Sequence, residues 1–314
     1  MGRGPERRSR GPTGPPASGG GSACKLTAIE VALSAVLNGL AFGGLIFLLA
    51  AGLSVIFGLM DVLNLAHGSF YMLGAYVGLT VLDLTNNFWL ALIAAPIALA
   101  ILGGAVEVIF FRRIYQRGHL MQVLLTFGLT LVFVDLIRWR FGPQTHSLPT
   151  PPGLEGAVHI VGIPFASYKL FVILFATVVA AVLVVAWRKS KVGAILRAGV
   201  ADREMLGLLG IDLSRVFTAT FAFGAALAGL AGVVVGPYLS VYPGMDESIL
   251  VLVLVVVVVG GLGSIEGAII GSLLVGLANA IGPLVLGGFE AASIFAVMAV
   301  VLLVRPRGLL GLRQ

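Results

Sequence analysis

Charged side chains are scarce in this chain of 314 residues, where they make up 11% of the sequence, against about 25% in an ordinary globular protein. Apolar residues reach 59%, which indicates a membrane protein. A soluble enzyme, a coiled coil and a secreted scaffold are therefore excluded. Cys24 is the only cysteine, which excludes a disulfide framework and a cysteine-ligated metal cluster.

Motifs for nucleotide binding and for catalysis are missing as well. None of the four lysines follows a glycine in a phosphate-binding loop of the form GxxxxGK, so any ATP must be bound by another chain. The motifs HExxH and GxSxG do not occur, and the four histidines are scattered. We therefore expect no enzymatic site, no cofactor and no metal ion, and we attribute the net charge of +6 to membrane topology rather than to nucleic acid.

Long apolar runs dominate the sequence after its first residues. Residues 1–23 are almost entirely Gly, Pro, Arg and Ser and are predicted to be a disordered tail, whereas residues 24–314 are predicted to form a single transmembrane domain. Because lipid offers the backbone no hydrogen-bond partner, apolar runs of about 20 residues must be membrane helices. These runs cover about residues 35–57, 66–82, 88–111, 120–137, 168–187, 216–235 and 291–304.

One apolar run is too short to cross a membrane. Residues 248–259 number 12, or about 18 Å of helix, against a hydrocarbon core of about 30 Å. The run ends at Gly261 and Gly263, and a second short run follows over residues 268–281. The pattern predicts a broken or re-entrant hairpin. The expected fold class is an all-α polytopic membrane protein with about eight to nine membrane helices and a cytoplasmic helix.

Basic residues predict the orientation. Six of them lie between Arg188 and Arg215, so this segment is assigned to the cytoplasm. Alternating crossings then place residues 236–247 outside, where Asp246 and Glu247 would stay hydrated, and they place the N-terminus outside as well. That position conflicts with the basic tail. Three explanations stay open: the tail is translocated against the rule, an extra helix exists near residues 26–33, or the tail is not part of the natural protein.

Small residues at four-residue spacing place a smooth stripe on the helix expected at residues 216–235. Such a stripe allows close approach of helices in lipid. Tight internal packing is one interpretation, and lining of a transport pathway is the other. The stripe consists of Gly224, Ala228, Gly232 and Gly236.

Several polar or flexible positions interrupt the apolar segments. Asn64 could cap a helix start by accepting from backbone N–H groups, or it could line a pathway together with its neighbours, because unpaired polar groups inside a membrane are costly. Glu107 and Asp135 lie near arginines, so snorkelling or pairing with these arginines explains them more simply than a proton relay does. The candidates for the pathway are Asn38, Asn64, His67, Gly68, Gly261 and Gly263.

The cytoplasmic segment over residues 193–215 differs from a simple connection. Around residues 201–209 its pattern predicts a short helix with one apolar side, which Gly210 would end. The apolar side could dock a partner protein, or the segment could be an interfacial linker. Both interpretations stay open from the pattern alone.

Together these residues resemble the permease subunits of branched-chain amino acid ABC importers, of the shorter of two related types. The resemblance covers about residues 34–306. It is carried by five segments: LNGLAFGGLIFLLAAGLSVIFGLMDVLNLAHGSFYMLGAY, FGP with the proline-rich loop after it, RAGVADREMLGLLGIDLSRV, FAFGAALAGLAGVVVGP and VVVGGLGSIEGAIIGSLLVGL.

The resemblance implies a set of partners and a mechanism. A related second permease would form a heterodimer with this chain, two cytoplasmic ATPase subunits would hydrolyse ATP, and an extracytoplasmic binding protein would deliver leucine-like amino acids. The assembly would lie in the lipid of a bacterial or archaeal cytoplasmic membrane and work by alternating access. The rivals are the same architecture importing another small solute, such as urea, a short amide or a sugar, and an ion-driven secondary transporter.

The resemblance also implies that residues 198–210 form the coupling helix that sits in a cleft of the ATPase. The family often has Glu-Ala-Ala in this helix, and Glu204-Met205-Leu206 is a bulkier version. The residues expected to couple to the ATPase are Arg197, Asp202, Arg203, Glu204, Met205, Leu206, Gly207 and Gly210.

Overall fold

The structure is a computed structural model, and it describes residues 28–115, 117–160, 162–287 and 290–311. The predicted tail at residues 1–23 lies outside these ranges. Helices make up most of the described chain, with one short strand pair. The elements are α1 Ala28–Met60, α2 His67–Thr85, α3 Phe88–Ile109, α4 Gly118–Phe141, β1 Ala157–Ile160, β2 Ile163–Ala166, α5 Ser167–Lys189, α6 Lys191–Ala201, α7 Arg203–Leu208, α8 Leu213–Val235, α9 Met245–Gly260, α10 Ile265–Leu286 and α11 Glu290–Val304.

Every apolar run expected to form a helix lies largely within one. Six helices of the described chain, α1, α3, α4, α5, α8 and α10, are long and apolar enough to cross a membrane, so the higher number of eight to nine crossings is not confirmed. Residues 28–33 form the first turns of α1, which has 33 residues. The alternative of an extra helix near residues 26–33 is therefore wrong, because the described part of that range belongs to α1.

The glycine-rich break joins α9 to α10, but the two helices differ from the prediction. α9 has 16 residues, or about 24 Å, and α10 has 22 residues rather than a second short run. Gly261 and Gly263 have φ angles of +105° and +79°, which favour glycine. The break is thus a tight turn, and a pair of short re-entrant segments is not confirmed.

The helix ends form two groups on opposite sides of the bundle. At the first side, which we call the basic end, Gly58 of α1 packs on Gly263 and Arg188 of α5 pairs with Glu266 of α10. At the opposite side, which we call the loop end, a backbone pair between His146 and Val241 joins the loop after α4 to the loop after α8. The antiparallel β1–β2 hairpin, which the all-α expectation did not include, belongs to the loop end.

Two helices begin inside the bundle rather than at either end. A Cβ built on Gly52 would lie 2.7 Å from the carbonyl oxygen of Gly224, near the middle of α8, and 3.1 Å from the ring of His67. His67 starts α2, so α2 begins at mid-depth and continues to the loop end. α9 begins at the same depth, because Asp246 in its first turn bonds Ser69 in α2, and it continues to the basic end.

Candidate functional site

The segment that the sequence analysis assigned to the cytoplasm contains two helices, α6 and α7, which we call the α6–α7 element. The sequence predicted one helix over about residues 198–210, but the chain breaks at Asp202, whose backbone is extended and whose carboxylate accepts the backbone N–H of Met205 at 3.0 Å. This is an N-cap, which starts α7 in a new direction. α7 ends at Leu208, and Gly210 has a φ angle of +77°. The predicted stop at Gly210 is thus within two residues of the observed helix end.

An apolar surface covers one side of this element. Met205, Leu208 and Leu209 are exposed to 52%, 83% and 69%, which is unusual for large apolar side chains at a polar end of a protein. Leu206, which is among the residues expected to couple to the ATPase, is instead buried, and its Cδ1 atom lies 2.8 Å from a Cβ built on Gly199. Leu206 therefore packs α7 against α6 and is not part of the exposed surface.

The polar positions around this surface face solvent. Arg197 donates to the carbonyl of Arg188 at 3.5 Å, and Glu204 and Gly207 are exposed. A Cβ built on Gly207 would meet only the Leu213 side chain, at 3.9 Å, so a larger residue fits there. The side chain of Arg203 lies outside the described part of the structure.

Two long helices connect directly to the element. Ser190 ends α5, and its hydroxyl caps α6 by accepting from the N–H of Gly193 at 2.9 Å. Asp212 caps the start of α8 by accepting from Ser214 at 3.0 Å. Only short, capped connections therefore separate the element from α5 and α8.

Near the start of α8, a buried carboxylate joins α8 to α3. Glu107 is fully buried and lies 3.6 Å from Arg112, while the hydroxyls of Tyr115 and Thr218 donate to its two oxygens. Burial raises the pKa of Tyr115, and its hydrogen bond to Glu107 raises it further, so Tyr115 stays a donor. The expected pairing of Glu107 is confirmed, as is the pairing of Asp135 with Arg138 at 3.7 Å.

Asn64 and His67 lie where α2 begins. The predicted side-chain cap by Asn64 is wrong, because both of its amide atoms are buried without a partner in the described chain and only its backbone carbonyl accepts from His67 N, at 3.1 Å. Asn64 stands three residues before the helix, too early for a side-chain cap. The Nε2 atom of His67 lies 3.0 Å from the carbonyl oxygen of Leu49.

A carboxylate that the sequence did not indicate lies beside the start of α2, at the place where α2 and α9 meet, which we call the junction. Asp246 was expected to be hydrated, but it is 2% exposed, and the Ser69 hydroxyl donates to its Oδ2 atom at 2.7 Å. Gly68 allows this approach, because a Cβ there would lie 2.6 Å from the Asp246 carbonyl oxygen. The N-terminal ends of α2 and α9, which favour negative charge, therefore meet at a buried carboxylate.

The remaining candidates for the pathway lie apart from this junction. Asn38 is in α1 near the loop end, where its Oδ1 atom accepts from Lys169 at 2.6 Å. Gly261 and Gly263 lie at the basic end, where Gly261 packs on Gly311. The structure thus brings Asn64, His67 and Gly68 together and separates the other three candidates from them.

The small-residue stripe of α8 lies against three other parts of the bundle. Gly224 contacts Ile56 of α1, Gly232 contacts the backbone of α2 at Tyr71, and Gly236 contacts Leu148 in the loop after α4. Ala228 is fully buried between them. Close backbone approach at these positions gives α8 its central place in the bundle.

The fold and this site define a class of protein. The bundle of membrane helices contains α2 and α9, which both begin at mid-depth and meet there. It also carries the α6–α7 element with its exposed apolar surface. Among the described residues, no group of three His, Cys, Asp or Glu side chains could hold a metal ion. Helices that begin at mid-depth of a bundle of membrane helices are typical of membrane transport proteins.

Comparisons with known proteins agree with this class. The chain belongs to the family described as branched-chain amino acid transport system / permease component, whose model matches residues 35–304. It is thus a multi-pass protein of the cytoplasmic membrane.

Individual relatives cover most of the chain. The high-affinity branched-chain amino acid transport system permease protein BraD of Pseudomonas aeruginosa is 30% identical over 89% of this chain and 95% of its own length. The corresponding LivH of Escherichia coli is 28% identical over the same shares. A probable branched-chain amino acid transport permease protein LivH of Methanocaldococcus jannaschii is 25% identical over 86% of this chain and 90% of its own length. No solved structure matches the chain.

Proposed function

We propose that this chain is the permease subunit of an ATP-binding-cassette importer that carries branched-chain amino acids into the cell. Membership of the permease family supports this proposal, and so do the relatives, whose names specify branched-chain amino acid transport. The structural observation that carries it is the apolar surface of Met205, Leu208 and Leu209 on a short element that is joined directly to α5 and α8. The chain performs no bond chemistry in this role.

The partners follow from the role. Two cytoplasmic ATPase subunits bind nucleotide, one of them at the α6–α7 element, since this chain has no phosphate-binding loop of its own. A related permease forms a heterodimer with this chain, and an extracytoplasmic binding protein delivers the amino acid at the loop end. We also propose that residues 1–23 are a disordered tail and that residues 24–314 form one permease domain.

The mechanism is alternating access driven from the basic end. When the ATPases close, they move the α6–α7 element, and α5 and α8 transmit the displacement because each is a continuous helix of 23 residues. Because α8 packs on α2 and α3, its displacement moves α2. α2 and α9, which both begin inside the bundle, then shift relative to each other at Ser69 and Asp246. The pathway then opens alternately to each side.

The polar positions at the junction are the best candidates for the middle of the pathway. Asn64 and His67 hold buried polar atoms that have no partner in the described chain, and such atoms are costly inside a membrane unless a solute or water contacts them. Gly261 and Gly263 stay candidates for the pathway at the basic end. Selectivity among leucine-like substrates rests largely on the binding protein.

The coupling role can be tested by changing the exposed face of α7. Gly207→Arg places a long cation where the structure leaves room, and Glu204→Lys reverses an exposed charge. In reconstituted vesicles with the ATPases, the second permease and loaded binding protein, we expect at least a tenfold loss of leucine, isoleucine and valine uptake and of substrate-stimulated ATP hydrolysis.

A matched control is the same charge reversal at the other end. Asp83 is exposed in the last turn of α2 at the loop end, and Asp83→Lys is expected to leave both rates within twofold of the unmodified complex. If Gly207→Arg and Glu204→Lys retained normal uptake and normal stimulated hydrolysis, the assignment of α7 as the coupling element would be wrong.

A further inference from the structure

A small pocket opens at the loop end. Its volume is about 280 Å³, at the lower edge of the roughly 300–1,000 Å³ typical of small-molecule sites, so it suits a solute of a few atoms rather than a peptide. Three parts of the chain form its walls: the loop before β1, the first turn of α5 and the turn after α8. The lining includes Leu154, Glu155, Tyr168, Lys169, Pro237 and Tyr238.

Lys169 is a fixed cation in this pocket. Its Nζ atom donates to the Asn38 Oδ1 atom at 2.6 Å and lies 5.8 Å and 5.4 Å from the ring centres of Phe165 and Tyr238. The aromatic faces stabilise the ammonium group, and the bond to Asn38 uses one of its three N–H donors. The other donors can bind a carboxylate, which forms strong charge-assisted hydrogen bonds with a lysine.

The opposite charge and an apolar surface line the same pocket. Glu155 contributes an exposed carboxylate, and Leu154 and Pro237 contribute apolar atoms. A free amino acid with a branched side chain carries all three complementary features: a carboxylate, an ammonium group and an apolar part. We propose that this pocket is an outer binding site for the transported amino acid, in which Lys169 binds the substrate carboxylate and Glu155 faces the ammonium group. This inference rests on the proposed function.

The helices that border the pocket also border the coupling element. Tyr168 and Lys169 open α5, which continues to α6 at the basic end, and Pro237 and Tyr238 follow α8, which starts just after α7. The Tyr168 hydroxyl donates to the carbonyl oxygen of Val234 at 2.6 Å and ties the two walls together. A displacement of the coupling element therefore changes the shape of the pocket, so that the affinity of this site differs between the two access states.

The test measures substrate binding to the whole importer without its binding protein. Equilibrium dialysis of the purified complex with radiolabelled leucine gives the affinity, and competition with leucinamide, which lacks the carboxylate, gives the contribution of that group. We expect Lys169→Met to weaken leucine binding at least tenfold and to abolish the discrimination against leucinamide. Lys169→Arg, which keeps the charge, is expected to bind within about threefold and protects the test against a misfolded variant. Arg138→Met, at the loop end but outside the pocket, is the matched control.

Other outcomes would overturn the inference. If Lys169→Met weakened only the association of the binding protein, measured separately by pull-down, the pocket would be a docking site for that protein. If it changed only the dependence on anionic lipid, Lys169 would bind a lipid headgroup. Unchanged leucine binding in the variant, or no measurable binding to a complex that imports leucine, would also contradict it. A wild-type complex that imports no branched-chain amino acid would instead refute the proposed function.

Discussion

Asp246 holds a carboxylate at mid-depth of the bundle, with 2% of its surface exposed. In the described chain no salt bridge within 4.0 Å involves it, and the hydroxyl of Ser69 donates a hydrogen bond to it. A charge inside a membrane protein needs hydrogen bonds or dipoles to offset lost hydration. The first turns of α2 and α9 supply dipoles, and Ser69 supplies a donor.

The hydrogen bond from Ser69 to Asp246 therefore links α2 to α9 at the place where both helices begin. Ser69→Ala removes a hydrogen bond to a charged group, which is expected to cost about 1.5–3 kcal/mol of stability. Thermal unfolding of the purified complex should therefore occur at a lower temperature. The matched control is Ser272→Ala, because Ser272 is as buried but donates to Ile269 within its own helix. Equal shifts for both variants would contradict the role of Ser69.

At the scale of single elements, the apolar runs located the helices well. The runs over residues 88–111 and 216–235 correspond to α3 and α8 within a few residues, because lipid imposes helices on any apolar segment of that length. The end of α7 near Gly210 was also predictable, since glycine adopts the positive φ angle that ends a helix.

The depth at which a helix begins was not predictable in the same way. Ser69 and Asp246 are 177 positions apart in sequence, and no local pattern relates them, so Asp246 was expected in water. The break at Asp202 was missed for a related reason, because capping depends on an extended backbone angle rather than on the apolar period. Three segments that are distant in sequence form the pocket around Lys169, so no local sequence pattern could predict it.

Packing between α2 and α8 relies on backbone contact. A Cβ built on Gly232 would lie 2.6 Å from the backbone nitrogen of Ala75 and closer still to the carbonyl of Tyr71. Gly232→Ala must separate the helices, which is expected to cost about 1–3 kcal/mol. The measurement is the thermal unfolding temperature of the purified complex, which should fall.

The same substitution at Gly128 of α4 gives the opposite expectation. A Cβ there has nothing within 4 Å, and alanine is favoured over glycine inside a helix by up to about 1 kcal/mol. Gly128→Ala should therefore leave the unfolding temperature unchanged or raise it. A loss of stability in both variants would show that the cost arises from the helix itself and not from the contact with α2.

At the scale of the whole molecule, charge is distributed unevenly between the two ends. Among the residues that the structure describes, three basic ones lie near the loop end: Arg138, Arg140 and Lys169. Eleven others in the described ranges lie near the basic end: Arg112, Arg113, Arg117, Arg188, Lys189, Lys191, Arg197, Arg203, Arg215, Arg305 and Arg307. Basic residues in short loops stay on the cytoplasmic side, so we predict that the α6–α7 element faces the cytoplasm, as the proposed function requires.

The orientation can be measured directly with cysteine labelling. In a Cys24→Ser background, Asp83→Cys places a thiol at the exposed end of α2 and Lys191→Cys places one at the exposed start of α6. A membrane-impermeant maleimide on intact cells is expected to label Asp83→Cys and not Lys191→Cys, while permeabilised cells are labelled at both. The background without either cysteine controls for other reactive groups. The reverse pattern would place the apolar surface of Met205 and Leu208 outside the cell, where no ATPase could drive it, and the coupling mechanism would then fail together with the orientation.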